Sequence, residues 1–179
     1  MKIEAHKLWI VFLLMNFVYF PVHSQNTLFK KYKNNPIINI GTDQPEWREV
    51  HAENVTLLTP DETSDGTWRI YFRGNGQPPE YYGGQIGILY QDTIDFSPYG
   101  PWNEYENNPV MGYGLPGEYD DLGLLDPAPV VGEDDVVYIY YKARSHEQGS
   151  SLAGARSLDG GFTFEKFDAN PLKRHSGGT

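Results

Sequence analysis

Two carboxylates stand at matching places in this chain. Glu53 lies in Ala52-Glu53-Asn54-Val55 and Asp126 in Leu125-Asp126-Pro127-Ala128, 73 residues apart. Each precedes an apolar, β-favouring run, and side chains on a strand alternate between faces, so each carboxylate has a defined direction. Two carboxylates that face one cavity can divide proton donation from nucleophilic or base work, the arrangement that glycosidic bond cleavage uses. His51, two residues before Glu53 and on the same strand face, suits a sugar hydroxyl. Trp47, Tyr113 and Tyr119 precede the two runs and suit a stacking wall. Arg73, in an aromatic-rich segment, is a further substrate contact, and Asp120 and Asp121 suit a channel rim. The His and acidic residues have no metal-ligand spacing, and no cofactor is expected.

The elements that must position these residues are short strands. Gly (19) and Pro (13) are spread along the chain and break helices. Strands are expected at Ala52–Leu58, Thr67–Arg73, Gln85–Gln91, Trp102–Tyr105, Ala128–Val131, Val136–Lys142, Leu152–Ser157 and Thr163–Phe167. Turns are expected at Asp65-Gly66, Gly132–Asp135 and Asp159-Gly160-Gly161. Such a pattern means an all-β sandwich, barrel or propeller.

An internal repeat selects the propeller. Asn-Pro-aliphatic recurs as Asn35-Pro36-Ile37, Asn108-Pro109-Val110 and Asn170-Pro171-Leu172, at spacings of 73 and 62 residues. Between the marks the features keep their order. Val55–Leu58 matches Ala128–Val131, Tyr71-Phe72-Arg73 matches Tyr140-Tyr141-Lys142, Ile86-Gly87-Ile88 matches Ala153-Gly154-Ala155, and Asp92 matches Asp159. Each unit reads as about four strands, one blade. About two blades and the start of a third are present, too few to close a ring, so the chain is expected to be truncated.

This series of motifs resembles the five-bladed β-propeller glycosidases: arabinanases, β-xylosidases, invertase-like and levansucrase-like enzymes, and mannoside phosphorylases. The residues that carry the resemblance are Asn108-Pro109-Val110, Asp126-Pro127, Val136–Tyr141, Ala153-Gly154-Ala155 and Ser157-Leu158-Asp159-Gly160, within residues 34–172. It implies a glycoside hydrolase in which Glu53 takes the first-blade role of base or nucleophile. Asp126 would orient the acid or stabilise the transition state. Glu53-Asn54 departs from the family's usual Asp-Pro. The glutamic general acid is expected beyond Thr179, so this chain alone is expected to be inactive. A propeller that binds carbohydrate without catalysis is the alternative. A third reading comes from Ser157-Leu158-Asp159-Gly160-Gly161-Phe162-Thr163-Phe164, which fits the sialidase Asp-box with Phe for Trp; the box is expected to be a structural turn.

Residues 1–24 read as a secretory signal: Lys2 and Lys7, an apolar run from Leu8 to Phe20, then Pro21 and Val22-His23-Ser24. Thirteen residues are too few for a span, which needs about 20. Residues 25–179 are then one partial propeller domain. Cysteine is absent, which excludes lipid attachment at the cleavage site and disulfide support, and a secreted or periplasmic protein free of the membrane is expected. With 14 Lys and Arg against 24 Asp and Glu, the net charge of −10 repels nucleic acid and anionic lipid but not a neutral sugar. The expected partner is a carbohydrate.

Overall fold

A computed structural model describes residues 31–33, 35–77, 83–92, 95, 97 and 100–174. Residues 1–24, expected as a secretory signal, and the last five residues lie outside the described residues. No helix among those described is long and apolar enough to cross a membrane. The strands all belong to one unit, Asn34–Thr179.

The chain is all-β and antiparallel, with one 3-10 turn at Glu46–Arg48. The first sheet is a meander of β1 (His51–Leu58), β2 (Trp68–Asn75), β3 (Gln85–Gln91) and β4 (Asn103–Glu104). The second runs β5 (Gly123–Val131), β6 (Val137–Ser145), β7 (Gly149–Ser157) and β8 (Glu165–Lys166), and β9 (Lys173–Arg174) also pairs with β7. All eight expected strands form. β5 begins at Gly123 rather than Ala128, and β9 is an addition to the expected set.

The sheets pack through small and branched residues. Leu58, Tyr71, Ile86 and Ile88 of the first meet Leu124, Val137, Ile139, Tyr141, Ala143, Ala153 and Ala155 of the second in one buried cluster. The other face of the first sheet buries Ile70, Phe72 and Leu89 under Trp47. A Cβ at Gly74 or Gly87 would collide with the Trp47 ring, so both glycines are space for that indole.

The Asn-Pro marks have a structural job. The Asn108 side chain accepts from the Ile88 N–H and donates to the Ile88 carbonyl, both at 2.9 Å. Asn170 does the same to Gly154, at 2.9 and 2.8 Å. Three residues after each Asn the chain pairs with the third strand again, Met111 with Ile86 and Lys173 with Leu152. Each third strand therefore shares its outer edge between two short segments.

These clamps correct the sequence match in the third strand. Ile88 corresponds to Gly154, one residue earlier than expected, because Tyr71 pairs with Ile88 and Tyr140 with Gly154. A one-residue slip exchanges the faces of every side chain in the strand.

The Asp-box closes the turn after β7 and ties the two sheets. Asp159 accepts from Ser157 Oγ (2.6 Å), the N–H groups of Phe162 (3.0 Å) and Thr163 (2.9 Å), and Thr163 Oγ1 (2.7 Å). Burial alone would raise its pKa, but these donors hold it down at about 2. From the first sheet, Arg69 donates to the Gly160 carbonyl, and Tyr71 donates to that of Gly161 at 3.0 Å. The Arg69 side chain is 1% exposed, pairs with Asp65 and lies over the Phe162 ring at 4.8 Å.

Candidate active site at two strand bulges

β1 and β5 each break register once, at the same place. Glu53 pairs with Arg73 and Thr56 with Tyr71, which leaves Asn54 and Val55 opposite Phe72 alone. Leu125 pairs with Lys142 and Ala128 with Tyr140, which leaves Asp126 and Pro127 opposite Tyr141. Each extra residue is a β-bulge, a device that re-aims a side chain. Asn54 (φ 56°) and Asp126 (φ 54°) are both left-handed there. Asn and Asp carry that conformation at least cost among residues with a Cβ. The structural equivalent of Asp126 is therefore Asn54, not Glu53.

The two bulge residues meet. Asn54 Nδ2 donates to Asp126 Oδ1, and Thr56 Oγ1 donates to the Pro127 carbonyl at 2.6 Å. Asp126 is exposed and lines a groove of about 530 Å³ with Tyr140, Lys142, Ser150, Leu152 and Lys173. Its carboxylate thus has a fixed orientation and an open approach.

Glu53 faces elsewhere. Its Oε1 lies 3.0 Å from Arg73 Nη1, and both line a separate cavity of about 200 Å³ with His51, Asn75 and Arg144. Of the expected site residues, the fold brings together His51, Glu53 and Arg73. Asp126 does not join them: it lines the other groove and bonds to Asn54, the residue after Glu53, so the expected shared cavity of the two carboxylates is not formed.

The other candidates serve the core and loops. Trp47 is 6% exposed and its ring lies 5.6 Å from that of Phe72, so its faces are occupied. Tyr113 and Tyr119 pack against the inter-sheet cluster. Tyr119 takes a bond from Asn170 at 2.9 Å, and its pKa is raised, chiefly by burial. Asp121 accepts from the N–H groups of Gly117 (2.8 Å) and His146 (2.9 Å). Burial would raise its pKa, but these bonds bring it below the ordinary value. Asp120 is fully buried beneath Tyr141, accepting its hydroxyl at 3.0 Å, and pairs with Lys166 Nζ at 2.8 Å. Desolvation and the Asp120 charge raise the Tyr141 pKa, so Tyr141 stays a neutral donor under the Asp126 bulge.

Sequence reasoning missed Asn54, Asn75 and Arg144. A repeat offset of 72 rather than 73 would have aligned Asn54 with Asp126. Both are short polar residues that tolerate the left-handed bulge. No described group of three His, Cys, Asp or Glu could hold a metal ion.

No family model matches the chain, and no curated protein sequence matches it. Solved structures do. Zg3597, a family 117 glycoside hydrolase of the marine bacterium Zobellia galactanivorans, superposes with a TM-score of 0.57 at 24% identity over 74% of this chain. A Bacteroides ovatus protein provisionally assigned as a glycoside hydrolase gives 0.56 at 19% identity over 74%. A Bacteroides thetaiotaomicron protein provisionally assigned as a glycosidase gives 0.52 at 21% over 67%. Likeness at this identity is likeness of fold. The chain spans 36%, 38% and 33% of these three structures.

Proposed function

We propose that this chain supplies two consecutive blades of a five-bladed β-propeller in an exported glycoside hydrolase, with Asp126 as a catalytic carboxylate. The observation that carries this is the meeting of Asn54 and Asp126 at equivalent left-handed bulges of β1 and β5. Both strands spend backbone regularity to aim two polar side chains at one another, and such local strain collects at functional sites. The two meanders, β1–β4 and β5–β8, share one clamp, and the superposing structures carry glycoside hydrolase assignments, which supports the reading.

Glycoside hydrolysis needs a proton on the leaving oxygen and a nucleophile or activated water at the anomeric carbon. Asp126, oriented by the Asn54 amide and open to the groove, takes one carboxylate role. Glu53 positions Arg73 beside the site. The proton donor comes from the blades that complete the ring, and residues 1–24 direct export. The Asp-box adds nothing to substrate binding in this reading, since Ser157 and Asp159 bond within their own turn.

The separation of Glu53 and Asp126 into different cavities favours one second reading, a propeller that binds sugar without cleaving it. Hydrolysis separates the two. A protein carrying this chain and the completing blades is assayed on arabinan, xylan, galactan, fructan and agar-type oligosaccharides. Asp126→Asn keeps the shape and is expected to lower turnover by about 100-fold or more. Full activity in that variant refutes the catalytic role. Binding without any turnover in the parent establishes the second reading.

A further inference from the structure

The cavity beside Glu53 has a charge balance opposite to that of the molecule. The chain carries a net charge of −10, yet the ionic residues lining this space of about 200 Å³ are Arg73, Arg144 and Glu53. Glu53 is committed to Arg73 at 3.0 Å. Arg144 makes no side-chain hydrogen bond or ion pair among the described residues, whereas Arg48, Arg69, Arg73 and Arg156 each have a carboxylate partner. Arg73 is 15% exposed in its side chain, and its Nε has no hydrogen-bond partner. Val50, His51, Asn75 and Gly76 complete the lining. A half-buried guanidinium without an acid, in an acidic protein that has paired its other described arginines save Arg174 at the chain's edge, is a group waiting for an oxyanion. Arginine's planar fork fits carboxylate and sulfate oxygens with two parallel bonds.

We propose that this cavity is a subsite for an oxyanion carried on a sugar, a uronic carboxylate or a sulfate ester, with Arg144 as the primary contact and Arg73, held by Glu53, as the second. The proposal rests on the glycosidase reading for the sugar itself and deepens it by naming a substrate class. The space holds a substituent rather than a whole oligosaccharide. The ring bearing the anion would extend toward the strand bulges. Repulsion between the acidic surface and a free anion disfavours small ions elsewhere, so the local pair of arginines gives the discrimination.

The full chain is titrated by calorimetry with a glucuronate-ended oligosaccharide, its neutral glucose-ended counterpart, a sulfate-ester analogue and sodium sulfate. Binding of at least one anionic sugar is expected to exceed that of the neutral one by about 10-fold or more. The carboxylate and sulfate arms show which oxyanion is preferred. Arg144→Gln is expected to erase the preference and leave neutral-sugar binding in place, Arg144→Lys to keep part of it, and Arg156→Gln to change nothing. Equal binding of the neutral and anionic sugars overturns the proposal, as does a preference that survives Arg144→Gln. Sodium sulfate binding as tightly as the anionic sugars overturns the sugar component. Thermal unfolding of each variant identifies a misfolded protein, and Arg144→Lys then decides. Loss of the preference with Asp126-dependent hydrolysis intact removes this subsite alone. A preference retained without hydrolysis removes catalysis alone.

Discussion

Asp126 and Asp159 show how much one residue's surroundings decide. Both are conspicuous in the sequence, and both bond to their neighbours, but one is open to a groove and the other is enclosed by its own turn. Asp159 gives a pH prediction. Its folded pKa of about 2 lies below the ordinary unfolded value of about 3.9, so its contribution to stability is present above pH 4 and is lost as pH falls toward 2. Asp65 and Asp121 are shifted in the same direction and add to the loss. Asp159→Ala is expected to cost about 2 kcal/mol at neutral pH by denaturant unfolding, through the donors it leaves unpaired. The gap between wild type and variant should narrow from pH 5 to pH 2. A gap that stays constant with pH would show that the carboxylate charge has no part in it. At this scale the sequence is partly legible: it names Asp126 and the Asp-box, but a one-residue error in the repeat hides Asn54. Trp47 reads as a stacking surface because aromatic content alone does not separate core from site. The glycines at 74 and 87, across from it on two strands, are the available clue.

Strands are more legible than site residues, because runs of β-branched and aromatic residues between turn clusters depend on local chemistry. The start of β5 is lost for a local reason too. Asp126-Pro127 looks like the opening of a strand, since proline lacks the N–H a ladder needs, but the bulge absorbs both residues and lets pairing continue back to Gly123. The repeated Asn-Pro mark is visible as a pattern, but its purpose requires the partner strand. Each clamping asparagine supplies donor and acceptor to one third-strand residue. Asn108→Ala is expected to destabilise the fold by about 2–3 kcal/mol, because it leaves the N–H and C=O of the buried Ile88 without partners. Asn108→Asp keeps the acceptor only and should fall between. Hydrogen exchange at the Ile88 amide, in the middle of β3, gives the sharper test: faster exchange in Asn108→Ala, and exchange close to wild type in Asn108→Asp, whose carboxylate still accepts that N–H. Unchanged exchange in Asn108→Ala would mean that the ladder alone holds this strand.

At the scale of the molecule, apolar side chains on and beside the second sheet remain open. Val130, Tyr140, Leu152 and Leu172 are 48%, 38%, 44% and 41% exposed, and Tyr140 and Leu152 line the groove next to Asp126. Exposed apolar patches of this kind favour contact with another surface. Sedimentation of the chain from micromolar to millimolar concentration is expected to show association, reversed by Leu152→Lys. A monomer throughout this range would mean that the face is tolerated by water. The divided outer edge of the third strands determines the form such association takes. β8 and β9 occupy β7 in two-residue pieces, and the edge strand β5 is interrupted by its bulge, Pro127 and Pro129. An incoming chain finds no long row of free N–H and C=O groups on these strands, and fibril growth requires such a template. The clusters should therefore be liquid-like or amorphous, held face to face by apolar side chains, dissolving on dilution and failing to enhance an amyloid-binding dye.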